Sequence, residues 1–281
     1  MRKIYVLSLA LLVAAMLALP ANAAMWVGGE IGANFITDTS LTAGVVGTLQ
    51  QPKALAGQTL GAAVKFSSVS FEPAVFGGLT VGYDFVNTGF AGYDWPSWMK
   101  YFGVIVDFSY NRVAVRNQFL PVSGAVTING ANRFTTVFPN GVGHLFDNTG
   151  DTSNGCIPTL SFMVYGHYGF FPDSVVPIGR VHPYLAVGPA VAWTALDLGP
   201  YGLGTQTSTN IALAAEGGVR FILLPNVTWD IGLRYRYLVP SAWTASGNVS
   251  VAGYVLSPGA VRAQVDSINA FTVLTRVNYH F

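Results

Sequence analysis

The chain has 281 residues, 10% of them charged, with a formal net charge of +1 and a mean hydropathy of +0.45. That charge offers no electrostatic footprint for nucleic acid, and the single cysteine, Cys156, permits neither an internal disulfide nor a cysteine-based metal site. The charged fraction is well below the usual quarter, yet beyond the N-terminal segment no apolar run reaches the about 18 residues that suggest a membrane helix.

The apolar character is therefore spread over short segments. Residues 1–23 read as a secretory signal: Arg2 and Lys3 are basic, residues 4–19 are apolar apart from Ser8, and Ala21-Asn22-Ala23 supplies a small-residue cleavage site. The expected mature chain, 24–281, holds no linker that would divide it. It carries glycine and aromatic residues in the abundance expected of strands, tight turns and aromatic girdles.

Within a bilayer every backbone amide must be paired inside the protein, so only helices or closed barrels span it. Eight segments of about ten residues show the period-two alternation of strands. In 25–36, Val27, Ile31, Ala33 and Phe35 share one face, and Glu30 and Asn34 the other. Segments 75–86 and 100–111 follow, the second with Phe102, Val104, Val106, Phe108 and Tyr110 against Asp107 and Asn111. In 159–170, Phe162, Val164 and Tyr168 oppose Ser161, Tyr165 and His167, and in 183–195 the opposing face is small, with Ala186, Gly188 and Ala190. Segments 210–222, 227–238 and 270–281 complete the set.

Charge placement supports this reading. Glu30, Asp84, Asp107, Glu216, Arg220, Asp230, Arg234, Arg236 and Arg276 all fall on the polar face of their segment. An arginine facing lipid at the midplane would cost roughly 2–4 kcal/mol. A soluble sandwich alternates in the same way, so the N-terminal signal and the terminal aromatic strand decide between the two. The expectation is an all-β, transmembrane, antiparallel up-and-down barrel of eight strands. Connections near 87–99, 171–182 and 223–226 are short. Those near 37–74, 112–158, 196–209 and 239–267 are long and are expected as extracellular loops. Within the second of these, 124–129 and 133–138 flank Asn129-Gly130, a hairpin signal. That hairpin either rises above the membrane or adds a ninth and tenth strand.

Three stretches carry a family resemblance. Gly78-Leu79-Thr80-Val81-Gly82-Tyr83-Asp84-Phe85 resembles the GxxxGYxF second strand of small outer-membrane barrels of the OmpA/OmpX/opacity group. Tyr101-Phe102-Gly103-Val104 through Ser109-Tyr110-Asn111 resembles their third strand, and 182–190 their PYxxxGxG fifth strand, with Pro189 in place of a freer residue. The closing strand resembles theirs too, and there the resemblance makes Val277, Tyr279 and Phe281 a signal read by the barrel assembly machinery. The resemblance implies a barrel-only member in the bacterial outer membrane, monomeric, among lipid and lipopolysaccharide. It leaves open a structural or surface-display role, with adhesion or ligand recognition by the external loops, or a narrow OmpW-like channel for small or apolar solutes.

The candidate sites follow from the same reading. The nine charges either pair across a filled lumen or line a narrow ion path. Tyr93, Trp95, Trp98 and Tyr101 cluster at the first short turn and suit the headgroup level. The histidines (His144, His167, His182 and His280) lack metal-ligand spacing, and no serine lies two residues from one on any strand, so the pattern of barrel lipid A deacylases is absent. Asp147 and Asp151 read as a polar loop tip, and Cys156 as an unpaired thiol. No enzyme activity, cofactor or metal is expected.

Overall fold

A computed structural model of the chain describes residues 25–51, 53–85, 95–114, 116, 122–138, 154–174, 176, 179–197, 205–251 and 254–281. The expected signal segment, Tyr93, His144, Asp147 and Asp151 lie outside the described residues. In chain order the strands are β1 (Met25–Ile36), β2 (Thr39–Gln51), β3 (Thr59–Val69), β4 (Ala74–Asp84), β5 (Phe102–Ala114), β6 (Val122–Ile128), β7 (Ala131–Phe138), β8 (Asn154–His167), β9 (Val181–Asp197), β10 (Thr205–Leu224), β11 (Val227–Leu238), β12 (Ser241–Val251), β13 (Tyr254–Val265) and β14 (Ile268–His280).

Eight strands close a barrel in the order β1-β14-β11-β10-β9-β8-β5-β4, every neighbouring pair antiparallel. They are the eight segments read from the sequence. β11 illustrates the cause. Thr228, Asp230, Arg234, Arg236 and Leu238 are buried in the interior, while Trp229, Ile231, Leu233, Tyr235 and Tyr237 face outward. The exterior is apolar all round: Leu185, Ile211 and Leu233 are 70%, 70% and 65% exposed. A soluble sheet buries its apolar face. This one buries its polar face, and a continuous exposed apolar belt of this kind marks a membrane surface. Closure leaves no unpaired barrel edge within that belt.

The register fixes the dimensions. From His182 the paired residues run Arg220, Asp230, Arg276, Glu30, Gly78, Ser109 and Thr159, and return to β9 at Ala192, a stagger of ten residues. With standard strand spacings this gives a tilt of about 40°. The interior of so small a barrel is filled by side chains rather than water.

The described residues of the long connections 37–74, 112–158 and 239–267 are largely β-strand. They fold into the hairpins β2–β3, β6–β7 and β12–β13, which join in a separate six-stranded sheet, β12-β13-β2-β3-β6-β7. The Asn129-Gly130 hairpin therefore forms, but in this sheet and not as extra barrel strands. Both turn residues have positive φ, 50° and 76°, as a two-residue hairpin turn requires. The sheet order repeats the barrel order β11-β14-β1-β4-β5-β8, so each hairpin strand continues the wall below it. Backbone bonds cross the junction from Thr37 to Asn269, Asp266 to Ser40 and Arg116 to Ser70, each at 3.0 Å. On the inner face Leu49, Leu60, Ala245, Val249, Leu256 and Val261 form a buried apolar cluster. We call this the hairpin end. The opposite, turn end holds Met25 and Phe281, joined by a 3.0 Å bond from the Phe281 N–H to the Met25 carbonyl.

Candidate functional site

The interior is layered along the barrel axis. Its middle is a charge network whose members come from neighbouring positions across the ladder. Glu30 and Asp230 stand directly opposite Arg276, Glu216 opposite Arg234, and Arg220 opposite Asp230. Because strand tilt carries side chains across the lumen, the pairs merge into one cluster.

Arg234 grips Glu30 with two parallel bonds of 2.8 and 2.9 Å. It also reaches Glu216 at 2.6 Å and Asp107 at 3.0 Å. Arg276 donates to Glu30 at 3.1 and 2.9 Å, to Glu216 at 2.8 Å and to Asp230 at 3.4 Å. Arg236 bonds Asp107 at 2.9 Å and Ser109 at 2.6 Å, and Arg220 holds Asp230 by bonds of 3.0 and 3.3 Å. The side chains of Arg234, Arg276, Glu30, Asp107 and Glu216 are all 0% exposed. Buried charges are tolerated only when partnered and hydrogen-bonded, and two-pronged arginine–carboxylate pairs are among the strongest such contacts.

Uncharged groups complete the cluster. The Tyr184 hydroxyl donates to Glu216 at 2.8 Å, and Asn278 donates to Asp230 at 3.0 Å. The Tyr184 ring needs its neighbours small: a Cβ at Gly218 or Gly232 would stand 2.8 or 2.9 Å from its hydroxyl oxygen. Towards the hairpin end the lining turns neutral, with Thr272 donating to Asn34 at 2.9 Å, and then apolar, with Ile157, Ala192, Ala212, Leu238 and Ile268.

Towards the turn end the network gives way to rings and a cavity. The Arg220 guanidinium lies 4.8 Å from the Trp26 ring centre and 5.6 Å from that of Tyr165, and the Tyr165 hydroxyl donates to Asp84. Beyond them a cavity of about 550 Å³ is lined by Asp84, His167, His182, Arg220, Thr228 and His280 among others. His167 and His182 flank one short connection, and the sequence shows no metal-ligand spacing for them. The structure brings their rings to 5.3 Å between centres. The signal that could have found them is that both sit at inward positions of consecutive strands joined by that turn.

The remaining predicted residues lie on the outside. Trp95 stacks edge-on to Phe85, Trp98 edge-on to Phe102, and Tyr101 flat on Tyr168, all near the turn end. Tyr279 and Phe281 pack edge to face, with Val277 outward on the same strand. Cys156 is half-buried and free.

Fold and lining together define a small closed barrel with a lipid-compatible exterior and a charge-filled lumen. No known family model and no curated protein matches the chain. Among solved structures it is similar to small outer-membrane barrels. Neisserial surface protein A is 13% identical, with 92% of this chain and 97% of that one covered and a TM-score of 0.43. The outer membrane protein OprG from Pseudomonas aeruginosa is 12% identical, with 93% and 98% covered and a TM-score of 0.43. The attachment invasion locus protein Ail of Yersinia pestis is 14% identical, with 89% and 99% covered and a TM-score of 0.33.

Proposed function

We propose that this chain is a bacterial outer-membrane protein, exported by the signal at 1–23, whose barrel is a plugged anchor and whose hairpin end is displayed outside the cell. The observation that carries the proposal is the fully buried network around Arg234 and Arg276. It ties carboxylates from β1, β5, β10 and β11 across the lumen, where an open pore would need water. The role is then structural and presentational, with recognition assigned to the six-stranded sheet rather than to a conduit. The outer face of that sheet carries Thr42, Lys65, Thr244 and Arg262 among small residues, polar enough to stand in water. Lipid and lipopolysaccharide surround the belt, and Val277, Tyr279 and Phe281 serve the assembly machinery. A narrow channel requires the network to part, and each arginine that leaves takes a charged partner from at least one buried carboxylate.

Orientation is tested on intact cells. A short epitope inserted at the Lys53–Leu55 turn, at the tip of the β2–β3 hairpin, is expected to bind antibody without permeabilisation. The same epitope in the Pro225-Asn226 turn is expected to bind only after it. The reverse pattern, or no labelling of the first insertion in a folded barrel, would contradict surface display.

A further inference from the structure

The turn-end histidine pair is not explained by the charge network. His167 closes β8, and His182 is the second residue of β9. Their Nδ1 atoms lie 3.1 Å apart. His182 Nε2 is 2.9 Å from the Gly179 carbonyl oxygen and therefore carries its proton there, which leaves a lone pair on its Nδ1. With nothing else present, His167 must donate its one proton from Nδ1 to that lone pair, and its own Nε2 becomes a bare acceptor. That atom is buried without a hydrogen-bond partner, and the group facing it is the Asp84 carboxylate at 3.9 Å. An acceptor thus opposes an acceptor.

We propose that His167 and His182 together bind a divalent transition-metal ion through their two Nδ1 atoms, with water or a solute from the cavity in the remaining positions. A tetrahedral ion with Zn–N bonds of about 2.0–2.1 Å holds two nitrogens about 3.3 Å apart, close to the separation found. Ligation by both Nδ1 atoms moves the His167 proton to Nε2, where it points at Asp84. Each imidazole then has the outer partner that metal-bound histidines characteristically have, a backbone carbonyl for one and a carboxylate for the other. The local charges allow a cation. Arg220 is held by Asp230, which Arg276 also reaches at 3.4 Å, and lies 4.0 Å from Asp84, the carboxylate that faces the pair, while Lys100 is among the residues lining the cavity. His280 engages Thr228 at 3.2 Å. Among the described residues no three His, Cys, Asp or Glu side chains gather as a closed site, so this is an open, two-ligand site. Imidazole ligands select zinc, copper or nickel over magnesium.

The test uses the untagged, folded full chain in detergent. Calorimetric titration is expected to show one zinc ion per chain and no magnesium binding. Zinc binding should be lost in His167→Gln and in His182→Gln, and retained in His144→Gln. Asp84→Asn should weaken it roughly tenfold. Because a substitution can prevent folding, copper(II) is also titrated into the unsubstituted chain, and its electron paramagnetic resonance should show two coordinated imidazole nitrogens. Absence of zinc binding, zinc binding that survives both His167→Gln and His182→Gln, or a copper signal with one nitrogen or none would overturn the proposal. The first of these would mean that a proton, not a metal, holds the pair together.

Discussion

Replacing Arg234 with methionine is expected to destabilise the barrel by about 3–5 kcal/mol, the range for breaking a buried ion pair by removing one partner. Methionine nearly fills the space, so the loss is electrostatic rather than a cavity. Glu30 loses a two-pronged partner, Asp107 keeps only Arg236, and Glu216 keeps Arg276 and Tyr184. Glu30 keeps only Arg276, and because all of these carboxylates are fully buried, solvent does not replace the lost bonds. Arg236→Met should cost distinctly less, since it withdraws only from Asp107 and Ser109. Arg234→Met and Arg276→Met combined should cost more than the sum of the two alone, because they share Glu30 and Glu216. Urea midpoints of the folded protein in lipid vesicles read all three. Unchanged midpoints for both single substitutions would mean that the lumen is wet and the charges solvated.

Trp243→Ala should show a loss of similar size confined to the hairpin end. Trp243 is buried on edge strand β12, and its indole N–H donates to the Thr194 carbonyl of β9 at 3.1 Å. It joins the edge of the six-stranded sheet to the long strands of the barrel wall. Truncating a buried tryptophan typically costs about 3–5 kcal/mol. Here the cost falls on a unit outside the bilayer whose own core is mostly alanine, valine and leucine, so that unit opens without the barrel. Protease added from the hairpin side should cut the variant much faster than the parent, while the heat-dependent gel shift of the barrel stays as before. Loss of both together would show that sheet and barrel are one cooperative unit.

The barrel was legible because its two faces differ in chemistry at every second residue, as in Trp229-Asp230-Ile231 and Leu233-Arg234-Tyr235. The parity of all nine charges was readable for the same reason. Which arginine meets which acid was not, since Arg234 and Glu30 are brought together by the register and by the ten-residue stagger. The hairpin-end sheet was legible only at Asn129-Gly130, where turn chemistry is explicit. Along β2 the inward positions run Leu41, Ala43, Val45, Gly47 and Leu49, and the outward ones are also small or apolar, including Gly44 and Val46. The contrast between faces that identifies a strand is missing there. β12 and β13 hide in the same way behind alanine, glycine and serine. The histidine pair is not legible in spacing along the chain, because His167 and His182 meet across a turn between paired strands.

The central claim is that the lumen is closed by its own charges. Single-channel recording of the folded chain in a planar bilayer tests it most directly, after the gel shift has shown that the barrel has formed. The network predicts a silent membrane across the usual range of voltage and salt. Steady, sizeable openings from the unaltered protein would contradict it and make the nine charges the lining of a path.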